Sequence, residues 1–181
     1  MEKEILLYKN FHMNELNRNL RNQAICNGLC AEWQELWNEE WSQEKMIDMY
    51  FKGIDFALKY HWPSNEYIKK NFKLDWLREK NVFVDDKKSA MNPYKCIVLG
   101  DSDVKLRYNS DYMGDIYLRD NSSTIITARG RSFVMVHVFD NATVTAGQFD
   151  KATIVIIKHS PKVSVFANDS IKVKEEYDYL K

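Results

Sequence analysis

The sequence has 181 residues, with 26 Lys and Arg against 26 Asp and Glu, and an apolar fraction of 45%. A chain of this length buries about 70% of the surface that it exposes when unfolded, enough for one or two globular domains. Residues 1–81 hold 12 basic and 13 acidic side chains and residues 82–181 hold 14 and 13, so neither half is polarised. Because attraction to nucleic acid or an anionic membrane requires clustered positive charge, composition argues against both as primary partners.

The amino-terminal segment and the cysteines indicate the cellular compartment. The apolar run from Ile5 to Tyr8 is only four residues long, too short for the core of a signal peptide or for a membrane span. Three cysteines leave an odd thiol if two of them pair, and a chain of this size does not depend on disulfides. We therefore expect a cytoplasmic protein with reduced thiols.

The first 76 residues contain all five tryptophans and show helical spacing. Cys26, Cys30, Trp33, Trp37 and Trp41 follow one another at intervals of four, three, four and four residues. Residues at these intervals lie above one another on a helix. The spacing therefore predicts that the five side chains share one helical face.

Two serines mark the starts of further helices. Ser42 precedes an apolar stripe that runs from Met46 to Leu58, with Gly53 as a weak point, and Ser64 precedes another short stripe. Trp62-Pro63 ends the segment between them, because the residue before a proline disfavours the helical conformation. We predict that residues 1–81 form an aromatic-rich unit of three or four helices.

Residues 82–181 are organised differently, because short apolar segments recur there every eight to ten residues. After a strand at residues 82–84 and a charged turn at residues 85–88, turn-forming residues separate the later segments. A period this steady predicts a repeat architecture. The segment centres are Ile97, Leu106, Ile116, Ile125, Val134, Val144, Ile154, Val163 and Ile171.

Two folds produce strands at this interval: an antiparallel β-sandwich or barrel, and a β-solenoid, also called a β-helix. The Asn-Gly and Asp-Gly pairs that favour tight hairpins are missing from residues 82–181. Asp-Asn recurs at residues 120–121 and 140–141, twenty residues apart, as stacked coils would place it. We predict an α+β chain in which the helical unit, residues 1–81, packs on a solenoid, residues 82–181. Two strands per coil is the expected arrangement, and a three-strand coil is the open alternative.

One of the two predicted sheets is apolar on both faces. Val134, Val136 and Val138 form one face of its central strand, and the opposite face is no more polar. Either the helical unit of the same chain or a partner protein must cover that second face, and both alternatives stay open. The predicted binding residues on it are Phe133, Met135, His137, Phe139, Val155 and Ile157.

The sequence offers few residues for catalysis or metal binding. Cys26 and Cys30 are spaced to share a metal on a helix, but a structural zinc site needs four ligands. Phosphate-binding glycine loops, zinc-protease motifs and nucleophile elbows are all missing. We therefore predict no cofactor, no metal site and no catalytic residue. Asp101 and Asp103, or Cys96 with a histidine, are the groups that a competing hydrolase hypothesis would use.

Four parts of the sequence carry recognisable motifs: residues 26–33, residues 53–56 leading to His61-Trp62-Pro63-Ser64, residues 82–85, and residues 116–119 before the repeats. These segments resemble an uncharacterised family of short proteins from gut Bacteroidetes bacteria and their phages or mobile elements. The resemblance covers the chain from about residue 26 onward. It implies a helical front end and a β-repeat tail, carries no catalytic residues, and makes binding to host or defence machinery the expected role.

These observations favour a non-enzymatic module that binds a protein partner or associates with itself as a homodimer. The rigid surface of a sheet would supply the contact in either case. The competing hypothesis is a small hydrolase acting on carbohydrate or nucleotide.

Overall fold

The computed structural model describes residues 15–179. The chain divides into two compact units between Trp76 and Leu77, slightly before the boundary expected at residue 81. The first unit is helical, and the second is a β-solenoid.

The helical unit contains six short helices within the described residues, where the sequence predicts three or four. Ser42 and Ser64 are N-caps as expected, because each hydroxyl accepts a hydrogen bond from the backbone N–H three residues later. Gly53 separates two helices that the sequence joins. The helices are α1 (described over 15–26), α2 (Ala31–Leu36), α3 (Gln43–Lys52), α4 (Ile54–Tyr60), α5 (Asn65–Asn71) and α6 (Leu74–Glu79), the last of which crosses the unit boundary.

The continuous helix predicted from Cys26 to Trp41 is wrong. Gly28 has a φ of +88°, and the N–H of Leu29 donates to the carbonyl of Ala24. This is the hydrogen-bond pattern by which a left-handed glycine ends a helix. Cys26 and Cys30 consequently lie on opposite sides of a turn and do not share one helical face.

The tryptophans nevertheless pack together in the helical unit. The rings of Trp37 and Trp41 lie 5.2 Å apart between centroids, and Trp62 meets Trp37 edge-on at 6.2 Å. Buried Asn17 accepts a hydrogen bond from the Trp37 indole and donates its own amide to the carbonyl of Asn38. A buried amide satisfied in this way fixes the position of the indole among its apolar neighbours.

The second unit is a solenoid with two strands per coil, which confirms the predicted fold and excludes both the antiparallel sandwich and the three-strand coil. Every strand pair is parallel. Sheet A contains β1 (Val82–Val84), β3 (Lys95–Leu99), β5 (Met113–Leu118), β7 (Phe133–Val138), β9 (Thr153–Lys158) and β11 (Lys172–Glu175). Sheet B contains β2 (Lys87–Met91), β4 (Asp103–Tyr108), β6 (Ser123–Ala128), β8 (Thr143–Gln148) and β10 (Ser164–Ala167).

The central coils keep an exact twenty-residue register. Val104 pairs with Thr124, which pairs with Val144. The first coil is shorter, and the sequence predicts only part of it. The charged turn expected at residues 85–88 overlaps the start of β2, which begins at Lys87. Its two lysines lie on the exposed surface of an edge strand, where charge is common.

A residue with positive φ turns the chain at every corner of the central coils. These residues follow at intervals of ten: Gly100, Ser110, Asp120, Gly130, Asp140 and Asp150. Aspartate tolerates the left-handed conformation better than most residues because its short side chain bonds locally. Here that bond reaches the preceding coil: Asp120 Oδ2 accepts from the Gly100 N–H at 2.7 Å, and Asp140 Oδ2 from the Asp120 N–H at 3.1 Å. Each of these aspartates therefore fixes the backbone of the corresponding corner in the preceding coil.

The solenoid core consists of the inward residues of both sheets. It is mostly aliphatic, with two large aromatic exceptions in Phe83 and Tyr108, and fully buried Tyr108 donates its hydroxyl to the Pro93 carbonyl at 2.9 Å. Gly114 makes room for this ring, because a Cβ at residue 114 would lie 2.5 Å from the tyrosine oxygen. The tyrosine and the glycine therefore depend on each other.

Replacing Gly114 with alanine is expected to destabilise the solenoid by about 1–3 kcal/mol, since the added methyl group overpacks a rigid core. Urea unfolding followed by circular dichroism measures the change. Gly147→Ala is the matched control, because its Cβ meets only the ring of half-exposed Phe149, at 3.2 Å. Equal stability losses in the two variants would contradict the role given to Gly114.

Candidate functional site

The six predicted binding residues lie together on the outer face of sheet A. The register places Met135 beside Val155 and His137 beside Ile157, and the adjacent inward residues belong to the core. The sequence thus correctly groups these side chains on one face. Whether a partner binds there stays a prediction.

Part of this face is covered by the end of the same unit. His137 and Phe139 are buried, with 7% and 2% of their surfaces exposed. Tyr179 contacts both, with centroid distances of 5.5 Å to the His137 ring and 5.8 Å to the Phe139 ring. The centroid of the His159 ring is 4.4 Å from the ring centroids of both Phe139 and Tyr179. The residues Asp115, Tyr117, His137, His159 and Tyr179 are called the histidine cluster below.

The two histidines are joined by a direct hydrogen bond. His137 Nδ1 and His159 Nε2 are 2.9 Å apart, the ring planes differ by 2°, and the centroids are 5.2 Å apart. Because a nitrogen lies about 1.1 Å from the centre of its imidazole ring, these distances fit two rings that meet edge to edge in one plane, with the proton between them. The gap holds a proton and leaves no space for a metal ion.

The tautomers of both rings follow from a backbone carbonyl. His159 Nδ1 is 2.7 Å from the oxygen of Glu176, which can only accept, so this nitrogen donates. Burial lowers the pKa of His159, opposed by that hydrogen bond, and the neutral ring must then accept at Nε2. His137 therefore donates from Nδ1. The histidine cluster ties residue 176 to β7 through two rings.

Asp115 lies on the other side of His137. Its Oδ2 accepts the Tyr117 hydroxyl at 2.8 Å, and its Oδ1 is 3.8 Å from His137 Nε2. Within residues 15–179 this Oδ1 is buried without a hydrogen-bond partner. Tyr117 packs on the His137 ring, and Tyr179 packs on the His159 ring.

A second apolar surface was missed by the sequence analysis. Where sheet B turns into sheet A, large side chains project into solvent: Tyr94 is 67% exposed, Met113 57% and Phe149 45%. Met113 is the register partner of Phe133, so this surface adjoins the predicted face. We call it the corner stripe; its residues are Tyr94, Tyr112, Met113, Phe133 and Phe149. The sequence signal that could have predicted this surface is the presence of aromatic residues within turn segments, where polar residues are usual.

Arginines flank the corner stripe. The Arg129 guanidinium lies over the Phe149 ring at 4.5 Å, and Arg131 makes two 2.8 Å hydrogen bonds to exposed Asp111. Both arginines belong to the turn at residues 129–131. The stripe thus combines exposed aromatic rings with oriented guanidinium groups.

The residues named for the hydrolase hypothesis do not converge on one catalytic site. Cys96 is fully buried in the solenoid core, and burial raises the pKa of its thiol far above the usual range, so it stays protonated. Asp101 accepts from the Asn121 amide at 3.1 Å, which is itself linked to Asn141 in a corner ladder. Asp103 is exposed at the start of β4.

The fold places this chain among parallel β-solenoid proteins, here with two strands per coil and a helical unit before the solenoid. Comparisons with models of protein families, with curated proteins and with solved structures found no match. Within residues 15–179, none of the helices has the length and apolar character needed to cross a bilayer.

His159 makes the stability of the protein depend on pH. Because its pKa is lower in the folded state than the unfolded value of about 6.5, the unfolded chain binds more protons near that pH. Its contribution to stability is therefore complete above about pH 6.5 and is lost as the pH falls through the folded pKa. Urea unfolding of the wild type and of His159→Gln at pH 7.5 and pH 5.5 measures this. We expect a smaller decrease in the variant, and an equal decrease would contradict the assignment.

Proposed function

We propose that this chain is a non-enzymatic binding module that presents the corner stripe to a protein partner. The observation that carries the proposal is the exposure of large apolar side chains on a rigid solenoid corner, from 45% at Phe149 to 67% at Tyr94. Large exposed apolar patches mark interaction sites in otherwise polar proteins.

The chemistry of the stripe favours a protein as the partner. Tyrosine, phenylalanine, methionine and arginine are the residue types enriched in the cores of protein interfaces. Arg129 is already held over Phe149, so binding would cost little side-chain entropy there. The zero net charge of the chain gives no general attraction for nucleic acid.

The ladder of parallel strands supports the same role. Residues of the stripe belong to, or directly adjoin, strands paired on both sides, such as β5 between β3 and β7. A surface on such strands is formed before binding and loses little freedom on association. In the setting that the family resemblance implies, the partner would be a cytoplasmic host or defence protein. Nothing in the described residues favours the hydrolase alternative, since Cys96 lies in the core and Asp101 is held in a corner ladder.

The double variant Tyr112→Asp/Met113→Asp tests this proposal. Both side chains are more than half exposed, so the variant should fold with little loss of stability. It should lose at least about tenfold in affinity, because charge replaces apolar contacts at the centre of the interface. The measurement is the retention of proteins from a lysate of the native host on immobilised chain, followed by titration of the retained protein.

Ile125→Asp is the matched control, because Ile125 is 41% exposed on the outer face of sheet B, away from the stripe. A protein retained by the wild type and the control and lost by the double variant supports the proposal. Equal retention by all three chains would show that the stripe is not the binding surface.

A further inference from the structure

The two strands of the last coil each have only one neighbour. Strand β11 pairs with β9, and β10 pairs with β8, so one edge of each strand is unpaired within the described residues. The N–H of Ser164 bonds to Ala142, and the N–H of Glu176 bonds to Lys158. Because alternate residues of a strand point their amides to opposite sides, the N–H groups of residues 165, 167, 173 and 175 point to the free edges.

The core of the solenoid is partly uncovered at this coil within the described residues, because Val173 is exposed although Val163 and Ile171 are buried. Val173 lies in register over Ile156 and Val165 over Val144, so both valines are inward residues. The residues beneath them are fully buried, whereas Val173 is 44% exposed. Neighbouring Phe166 is 62% exposed. Repeat proteins need a polar terminal repeat to stay soluble, and this end is apolar in its interior.

The opposite end of the solenoid does not offer a matching surface. All three residues of β1 are 2% exposed. Asp86, which follows β1, is held by two hydrogen bonds from Arg78, at 2.8 and 2.9 Å. Head-to-tail stacking would need free edges on both β1 and β2, so copies of the chain cannot extend into a fibre in this way. Contact between two C-terminal ends needs no free edge on β1.

Strand register and charge select one of two such arrangements. A two-fold axis perpendicular to the sheets would pair β11 with β11 of the second copy, antiparallel. The amides that face the free edge allow only registers that place Lys174 opposite Lys174, Lys172 opposite Lys174, or Glu175 opposite Glu175. Like charges directly opposite each other are destabilising, so this axis is disfavoured.

A two-fold axis parallel to the strands pairs β11 of one copy with β10 of the other, again antiparallel. Strand β10 carries no charge. The amides that face the free edges allow three registers, two of which place Lys172 or Lys174 beside Phe166, a favourable cation–aromatic contact, and Val173 beside Val165 or Ala167; the third places Glu175 opposite Ala167. Both strand pairs form at once, because the axis exchanges the two sheets.

We propose that the C-terminal end of the solenoid is a self-association surface, through which two copies join tail to tail with β11 of each paired to β10 of the other. The contact covers exposed Val173 and partly buried Val165 and gives the free amides partners. Because both edge strands of the last coil are then paired, the assembly closes as a dimer. This proposal involves a different surface from the corner stripe and does not depend on the proposed function.

Sedimentation equilibrium of the full chain under reducing conditions tests the proposal. The wild type should have twice the chain mass of 21.5 kDa. Val173→Lys should be a folded monomer, because the new charge is solvated in the monomer but buried in the dimer. Ile125→Lys is the matched control and should remain dimeric, since Ile125 lies on the central strand β6. A monomeric wild type, whether or not another protein binds this end, or a dimer that survives Val173→Lys, overturns the proposal.

Disulfide crosslinking distinguishes the two axes. Cys26 and Cys30 are exposed and are first replaced by serine. Phe166→Cys combined with Lys172→Cys or with Lys174→Cys should then give a covalent dimer under mild oxidation, since facing residues of antiparallel strands come within disulfide distance. Each lysine replacement alone should stay monomeric on a denaturing gel. Efficient crosslinking by Lys174→Cys alone would show the other axis and contradict the strand pairing.

Discussion

The twenty-residue register of the parallel strands is the constraint on which the second unit depends. Each coil must turn twice and return to the same position, so every tenth residue takes a conformation that most side chains avoid. Aspartate meets this requirement at Asp120 and Asp140 because its carboxylate also binds a backbone amide of the preceding coil. The strain of one corner is thus offset by a hydrogen bond to another, and the corners stabilise one another along the solenoid.

A constant register also arranges side chains in columns, and some columns repeat one kind of chemistry. Asn141 bonds to Asn121, and Asn121 to Asp101, along one corner. On the outer face of sheet A, Tyr117 lies parallel to His137, with their Cα positions paired in the register. Surfaces built this way are rigid and continuous over several coils, which suits binding by preformed contacts better than catalysis by groups that converge in a cleft.

The sequence determines the repeat well because its period is local: apolar alternation and turn residues recur at short, countable intervals. The helical unit is less predictable, because the turn at Gly28 ends the helix although the helical spacing of the sequence continues to Trp41. Within the candidate site, the grouping of His137 with Ile157 follows from the period. The bond between His137 and His159 does not, since it joins neighbouring coils at a separation of 22 residues, and depends on where the end of the chain places Glu176.

The two ends of the solenoid differ in a way that limits what it can form. Parallel coils are open at both ends, and identical open ends would allow stacking without limit. Here β1 is buried while β11 is exposed along its length, so head-to-tail stacking of coil ends lacks a free edge on β1. The lysines of β11 restrict that contact further, since they repel a second β11 but not the uncharged β10. Burial at one end and charge at the other thus permit a closed pair and oppose a fibre.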